Sequence, residues 1–353
     1  MTKILLASLL AAISLTAMSA SSTDKKPVTV QDLVRLERVS DPRVSPDGVM
    51  VTYTLRQADY EANKGVKNVW AVRSDGRDPP RQLTQSSGNN ESARWSPDSK
   101  WIYFMSTRSG SAQVWRLFGQ GGDAQQVTRL PLDVGAFVLS PDGQQMLIAL
   151  EVFPECKDLA CSKKKLNELG SRKNSGTLHE RLFIRHWDTW KNGTRSQLFI
   201  TAIDAEGKAS AEPRLLSKGI DGDVPSKPFG DDSELTFSPD GKDVVFTARI
   251  AGQTEAWSTN LDLWLVPADG SKKPRNLTSA NAALDIQPVF SADGERLYYR
   301  AMKRPGFEAD RLAVMELTLK SGAVREVAPL WDRSADSIAL SNDGRTIYCS
   351  ADD

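Results

Sequence analysis

A chain of 353 residues, 40% of them hydrophobic and 25% charged, lies in the ordinary globular range and can bury a sizeable core, which excludes an intrinsically disordered protein. Its 45 Lys and Arg residues balance its 45 Asp and Glu residues, so the formal net charge is zero. Without a basic field, neither nucleic acid nor an anionic lipid surface is an expected partner.

The N-terminus has the pattern of a secretory signal peptide. Lys3 provides a positive start, an apolar run covers residues 4–17, and the small residues Ser19 and Ala20 follow. The run is shorter than the roughly 20 residues that a membrane-spanning helix needs. We therefore predict a signal peptide over residues 1–20, a periplasmic or secreted protein with no membrane contact after cleavage, and an N-terminal lead-in segment over residues 21–39. The alternative is a buried N-terminal helix.

A Ser-Pro-Asp-Gly turn recurs along the rest of the chain. In this turn Pro presets φ at the second position, and Gly takes the left-handed conformation that closes it. The serines of successive copies are 51, 44, 98, 53 and 50 residues apart, which gives a period near fifty with one long interval. The copies begin at Ser45, Ser96, Ser140 and Ser238, with degenerate copies at Ser291 and Ser341.

Runs of β-branched and aromatic residues flank these turns and predict strands. Four antiparallel strands in about fifty residues is the size of one propeller blade. We predict an all-β fold over residues 40–353, a β-propeller of four-stranded blades that start near residues 40, 88, 131, 231 and 284, with a partial sixth blade. Because an open ring exposes an apolar blade face, we expect this propeller to be incomplete and the chain to be a fragment. The alternative is a six-bladed ring completed by strands from the N-terminus.

The long interval predicts an insertion over about residues 153–185. Residues 156–173 carry six Lys or Arg residues, with leucines at mixed helical spacing, and so predict a short helical excursion on the propeller rim. In an oxidising compartment Cys156 and Cys161 can form a disulfide, which leaves Cys349 unpaired. After the insertion, we predict that residues 182–190 return to a strand and that residues 197–200 form the next one.

Two stretches carry a family resemblance: residues 28–42, which lead directly into the first turn, and the sequence Arg-His-Trp-Asp-Thr-Trp over residues 185–190. In both, the chain resembles the propeller of the prolyl oligopeptidase family of serine peptidases, in its bacterial dipeptidyl-peptidase and acylaminoacyl-peptidase branch. The resemblance implies a secreted exopeptidase in which an α/β-hydrolase domain releases dipeptides or acyl-amino acids from short peptides. The Gly-x-Ser-x-Gly nucleophile elbow is absent from the sequence, so no catalytic residue is assigned and we expect the hydrolase domain to be missing from this chain.

The resemblance implies that the propeller controls access and holds the peptide terminus, with an acidic group accepting the amine and an aromatic ring forming a wall. Alternatively, the tryptophans pack between blades and Asp188 satisfies a turn. No metal or other cofactor is expected, since the only histidines are His179 and His186. A TolB-like periplasmic interaction propeller remains the alternative function. The candidate substrate-binding residues are Glu180, Arg185, His186, Trp187, Asp188 and Trp190.

Overall fold

The computed structural model describes residues 27–86, 88–179, 184–186, 189–250, 252–341 and 343–352. In this part of the chain, five antiparallel four-stranded sheets follow one another and a two-stranded sixth sheet comes last. The predicted fold of five four-stranded blades with a partial sixth is confirmed. Blade 1 consists of β1 Arg38–Val44, β2 Met50–Asp59, β3 Lys64–Arg73 and β4 Arg81–Gln82, and blade 2 of β5 Asn90–Trp95, β6 Trp101–Ser106, β7 Gln113–Phe118 and β8 Gln125–Gln126.

Blade 3 differs because an excursion separates its second strand from its third. The excursion contains the helix α2 Leu159–Gly170 and a two-stranded hairpin. The strands of blade 3 are β9 Val134–Leu139, β10 Gln145–Val152, β13 Arg195–Ala202 and β14 Arg214–Leu215, and the hairpin consists of β11 Arg185–His186 and β12 Thr189–Trp190. Blade 4 consists of β15 Leu235–Phe237, β16 Asp243–Ala248, β17 Asp262–Pro267 and β18 Arg275–Asn276, blade 5 of β19 Asp285–Phe290, β20 Arg296–Ala301, β21 Ala313–Thr318 and β22 Val324–Glu326, and the sixth sheet of β23 Ser337–Leu340 and β24 Ile347–Ser350.

One sequence expectation about this excursion was wrong. The described residues between 182 and 190 form a separate hairpin and not a strand of the blade, since Arg185 pairs with Trp190 and His186 pairs with Thr189. A strand followed by a tight reversal has the same composition as one longer strand, so periodicity does not distinguish the two. The expected next strand, residues 197–200, lies within β13.

The helix α2 begins after Asp158, whose side chain accepts a hydrogen bond from the Cys161 N–H. Just before and within it, Cys156 and Cys161 are joined by a disulfide with their Cα atoms 5.6 Å apart. A shorter helix, α1 Val30–Arg35, lies in the lead-in segment and is capped by Thr29. No helix in the described residues is long and apolar enough to cross a membrane.

The repeated turns owe their form to a serine and an aspartate rather than to the proline. In the fourth blade, the Ser238 hydroxyl donates to Asp240 Oδ1 at 2.7 Å and accepts the Asp243 N–H at 2.9 Å, while Gly241 has φ +70°. The hydroxyl of the first residue donates to the aspartate in all six copies, including the two that lack proline. These hydroxyls lower the pKa of the turn aspartates, to about 2 for Asp240.

Replacing Ser238 by Ala should lower the free energy of unfolding by about 1–2 kcal/mol, because the Asp240 carboxylate and the Asp243 N–H both lose the buried hydroxyl that they share. The matched variant Pro239→Ala should cost less than about 1 kcal/mol, since Ala292 occupies that position in the fifth blade. Urea unfolding measures both. Equal losses in the two variants would contradict the role assigned to the hydroxyl.

The hydrophobic core lies between the blades, because successive side chains of a strand point to opposite faces of its sheet. In β16, Val244 and Phe246 belong to the cluster shared with blade 3, which includes Leu147 and Leu198. The intervening Val245 belongs to the cluster shared with blade 5. Each blade therefore covers an apolar face of its neighbour.

A second repeated feature closes each of the first four blades. The hydroxyl of Thr84 accepts the Val69 N–H at 2.9 Å and donates to the side chain of Asn68 at 3.2 Å. Thr128 contacts Val114 and Gln113 in the same way. The corresponding hydroxyls in blades 3 and 4 belong to Ser217 and Thr278. A Thr or Ser hydroxyl that follows a Leu or Val residue thus fixes the outer strand of each of these blades to the strand before it.

Candidate functional site

A cavity of about 700 Å³ lies between the inner strands of blade 3, the hairpin β11–β12 and the loop over residues 225–232. Phe137 and Ala149 line it from blade 3, Leu166 from helix α2, and His186 and Trp190 from the hairpin. Its volume is within the range of about 300–1,000 Å³ that is typical of small-ligand sites.

The hairpin holds an exposed tryptophan at the cavity wall. Trp190 is 60% exposed, and the Arg185 guanidinium lies 5.2 Å from the centroid of its ring. The His179 ring stacks on Trp190 with 6.2 Å between centroids and 25° between the ring planes. Because the indole is not covered by a blade, its flat face can contact a ligand side chain. The alternative expectation, that this tryptophan packs between blades, is wrong.

The loop over residues 225–232 forms another wall of the cavity, and a buried carboxyl group holds this loop in place. Glu234 accepts hydrogen bonds from the Ser226 N–H at 2.7 Å and from the Ser226 hydroxyl at 2.8 Å. Burial raises the pKa of Glu234 to about 7, against the opposing effect of these two hydrogen bonds. The loop therefore has a fixed shape at the edge of the cavity.

The charged groups that line the cavity divide into paired and unpaired ones. Glu151 accepts hydrogen bonds from Thr194 and Lys227, and Lys191 forms an ion pair with Asp223. Among the described residues, Asp133 and Asp231 have no Lys, Arg or His partner within ion-pair distance, and Lys163 has no Asp or Glu partner; all three are exposed in the cavity lining. Asp133 Oδ1 accepts the Ala112 N–H at 3.2 Å and Asp231 Oδ1 accepts the Ser233 N–H at 2.9 Å, but no cation neutralises either carboxylate, so both can attract a positively charged ligand group.

An arginine next to the cavity connects blade 2 to blade 1 and to the segment that precedes blade 4. Arg94, on the inner strand of blade 2, donates to Asp41 of blade 1 at 2.7 Å and to Asp232, which precedes blade 4, at 2.6 Å. Burial disfavours the charge of Arg94, but the carboxylates of Asp232 and Asp41 outweigh it and raise its pKa. Asp232 lines the cavity, so its carboxylate is committed to the arginine and not to a ligand.

The structure brings part of the predicted site together. His186 and Trp190 line the cavity, and Arg185 stacks on Trp190 beside it. Glu180, Trp187 and Asp188 lie outside the described residues. Cys349 is exposed and has no disulfide partner, and partial burial raises the pKa of its thiol.

Sequence reasoning missed Asp133, Asp231 and Lys191. Asp133 directly precedes the first strand of blade 3, and Asp231 caps a short 3-10 turn, Asp232–Glu234, that leads into the first strand of blade 4. Their positions relative to the turn repeat contain a signal, because each stands seven residues before the first serine of a turn, Ser140 or Ser238. Their residue type alone gives none, since aspartates are common in loops of every kind.

Comparison with known proteins is consistent with this architecture. Residues 37–166 match the family PD40, described as TolB beta propeller domain. Dipeptidyl-peptidase 5 of Porphyromonas gingivalis is 26% identical over 332 residues, which cover 94% of this chain and 47% of that protein. The chain spans about half the length of the curated relatives it matches, at 47% and 45% for two of them.

Solved structures show the same fold. The acylaminoacyl peptidase of Pyrococcus horikoshii superimposes with a TM-score of 0.60 and 17% identity, covering 90% of this chain and 43% of that one. The β-propeller domain of the Trilobed protease from Pyrococcus furiosus gives a TM-score of 0.56 and 15% identity, covering 90% of this chain and 79% of that one.

The stacked four-stranded sheets and the turn repeat define a β-propeller, and its residues 37–166 are similar to the TolB type. Within that class, the alignment with dipeptidyl-peptidase 5 over nearly the whole chain confirms the resemblance noted in the sequence. The chain is similar to the β-propeller portion of the prolyl oligopeptidase family.

Proposed function

We propose that this chain is the substrate-binding propeller of a serine exopeptidase, and that it holds short peptides with a free N-terminus in the cavity beside blade 3. The observation that carries the proposal is the pair of unpaired carboxylates, Asp133 and Asp231, in a cavity walled by Trp190. The relationship to dipeptidyl-peptidase 5 supports a peptide as the ligand. Bond cleavage would require the Ser, Asp and His of an α/β-hydrolase domain.

The proposed binding mode follows from the chemistry of the walls. A peptide ammonium group is attracted to the carboxylates of Asp133 and Asp231, while a side chain lies against the Trp190 indole. The paired groups Glu151 and Lys227 contribute a polar rim without net charge. The cavity volume of about 700 Å³ admits a short peptide segment and excludes a folded domain.

We also propose that the protein acts after export, in the periplasm or outside the cell. The signal-peptide pattern over residues 1–20 and the disulfide between Cys156 and Cys161 support this location. Nucleic acid has no place in this function, and membrane contact would end with signal cleavage.

The substitution Asp231→Asn, combined with Asp133→Asn, should weaken the binding of unblocked tripeptides about five- to tenfold, because the ammonium group loses both carboxylate partners. Binding of the N-acetylated form of the same tripeptide should change little. Isothermal titration calorimetry on the purified 353-residue chain measures both affinities. The exposed surface residue Asp332 provides the control variant Asp332→Asn, which should bind as the wild type does.

Two results would contradict the proposal. One is a folded wild-type chain that binds neither free nor acetylated peptides at millimolar concentration. The other is hydrolysis of dipeptidyl substrates by the pure chain, since the Gly-x-Ser-x-Gly nucleophile is absent from its sequence.

A further inference from the structure

A partly buried ion network lies behind the hairpin, formed by Lys191, Arg195, Asp223 and Glu255. The Lys191 ammonium is 2.7 Å from Asp223 Oδ2 and 3.6 Å from Glu255 Oε1. The Arg195 guanidinium binds both carboxylate oxygens of Glu255, at 2.7 and 2.9 Å, and lies 3.3 Å from Asp223. Four charged groups from three segments of the chain therefore meet at one point.

The two carboxylates of the network are largely shielded from solvent. The side chains of Asp223 and Glu255 are only 4% and 11% exposed. Burial alone would raise the pKa of Asp223, but Lys191, the Ser196 N–H and Arg195 outweigh it and keep that pKa below its usual value. Fixed partners of low exposure hold an ion pair in one arrangement, unlike the exposed pairs elsewhere on the surface.

The network fixes one end of the hairpin. Lys191 follows Trp190 directly, and its N–H donates to the Ile184 carbonyl at 3.0 Å, which closes the hairpin. After Lys191 the chain turns at Gly193, whose φ is +93°, and enters β13 of blade 3. Glu255 belongs to the loop between β16 and β17 of blade 4. The lysine thus connects the hairpin to two blades.

The hairpin also contacts the loop over residues 225–232, since the His186 and Phe229 rings meet edge to face with 5.9 Å between their centroids. Residues 171–178, earlier in the excursion, are exposed along their whole length. Trp190 contacts His179 and Arg185 in the same excursion, and neither contact fixes its distance from the blades. Two contacts therefore bear on the position of the indole relative to the cavity: the ring contact of His186 with Phe229, and the ion pairs of Lys191, the residue that follows Trp190.

We infer that Lys191, held by Asp223 and Glu255, is a positioning residue that places Trp190 at the cavity wall and so sets the affinity for peptides. This inference rests on the function proposed above. Lys191 acts through Trp190, since its own ammonium is occupied by the two carboxylates. The ion network then contributes to ligand binding as well as to stability.

The test combines the variant Lys191→Met with amide hydrogen exchange and tripeptide titration on the full chain. Exchange at residues 184–186 and 189–191 should be accelerated about tenfold, and peptide affinity should fall about tenfold, while exchange in β16 stays unchanged. The conservative variant Lys191→Arg should keep hydrogen exchange in the hairpin and peptide affinity close to their wild-type values. The control Lys242→Met removes an 81%-exposed lysine from a surface pair and should alter neither.

The outcomes separate this inference from the proposed function. If the wild type binds no peptide, the function fails, and hydrogen exchange in the hairpin still tests whether Lys191 anchors it. If Lys191→Met binds peptide as the wild type does and its hairpin exchange is unchanged, the anchor is contradicted. Should Lys191→Met fail to fold, Glu255→Gln removes one partner and leaves Asp223 paired with Arg195, and the same two readouts apply.

Discussion

Replacing Asp285 by Asn should flatten much of the pH dependence of the free energy of unfolding between about pH 4 and pH 7, and should stabilise the protein by about 2–4 kcal/mol at pH 8. Asp285 is fully buried at the joint between blades 4 and 5. Its Oδ1 accepts a hydrogen bond from Asn281 at 2.9 Å, and its Oδ2 has no partner among the described residues. A carboxylate in this position is poorly compensated when ionised.

The groups that face Asp285 explain the direction of the effect. Burial raises its pKa from 3.8 to about 7, against the hydrogen bonds of Asn281 and Thr278, and the nearby carboxylate of Asp262 adds to the rise. Tyr299 faces the same site, and burial together with Asp285 raises the pKa of its hydroxyl. No Lys or Arg in the described residues forms an ion pair with Asp285. The folded protein therefore keeps a proton here that the unfolded chain releases.

The sign follows from proton binding. Between about pH 4 and pH 7 the folded state binds more protons at this site than the unfolded state, so stability falls as pH rises, with a slope approaching about 1.4 kcal/mol per pH unit. Blades 1 and 2 have uncharged side chains at the positions that correspond to Asp262 and Asp285. There, the Asn90 amide donates a hydrogen bond to Asn68 at 3.0 Å. An amide at position 285 can donate to Asp262 in the same way.

Urea unfolding at several pH values measures the effect, with Asp332→Asn at an 88%-exposed site as the control. Part of the slope should remain in the Asp285 variant, because burial also raises the pKa of Glu234 to about 7. A variant that keeps the full wild-type slope would show that Asp285 is ionised in the folded protein near neutral pH.

The substitution Phe246→Ala should lower the free energy of unfolding by about 3–5 kcal/mol. Phe246 is fully buried in β16 and packs in the cluster shared between blades 3 and 4. Its loss removes apolar contacts and leaves a cavity at the blade interface, where the covalent connection between blades cannot compensate. The control Tyr60→Ala removes a 55%-exposed aromatic residue at a hairpin end and should cost less than about 0.5 kcal/mol.

Denaturant unfolding of the two variants tests whether the blades stabilise one another. A loss below about 1 kcal/mol for Phe246→Ala would mean that blade 4 does not depend on its contact with blade 3. A loss in the expected range, together with faster hydrogen exchange in β10, would show that blade 3 is destabilised together with blade 4.

The sequence predicted the features of this fold that are local. The turn at Ser238, Asp240 and Gly241 is formed by four adjacent residues, so its sequence is recognisable by itself. Because strands flank such turns, the number and spacing of the blades followed from the number and spacing of the turns. The hairpin at residues 185–190 was mistaken for a single blade strand because the alternation of side chains does not reveal a tight reversal. Local signals thus gave the repeat and missed the exception.

The candidate site was predicted only in part, for a physical reason. Trp190 and His186 were selected because they follow an unusual insertion. Asp133 and Asp231 are almost one hundred residues apart in sequence, and only the stacking of blades brings them to one cavity. Whether a given aspartate is paired depends on cations elsewhere in the chain, such as Arg94 for Asp232, and this pairing is not visible in a linear sequence.

Photoaffinity labelling tests most directly whether the cavity beside blade 3 is a peptide site. A tripeptide with a free N-terminus and a benzoylphenylalanine side chain, irradiated with the purified chain and mapped by mass spectrometry, should label the segments 184–192 and 225–232. An excess of the unlabelled tripeptide should abolish this labelling. Labelling confined to other blades, or labelling that unlabelled peptide does not compete away, would contradict the proposed site.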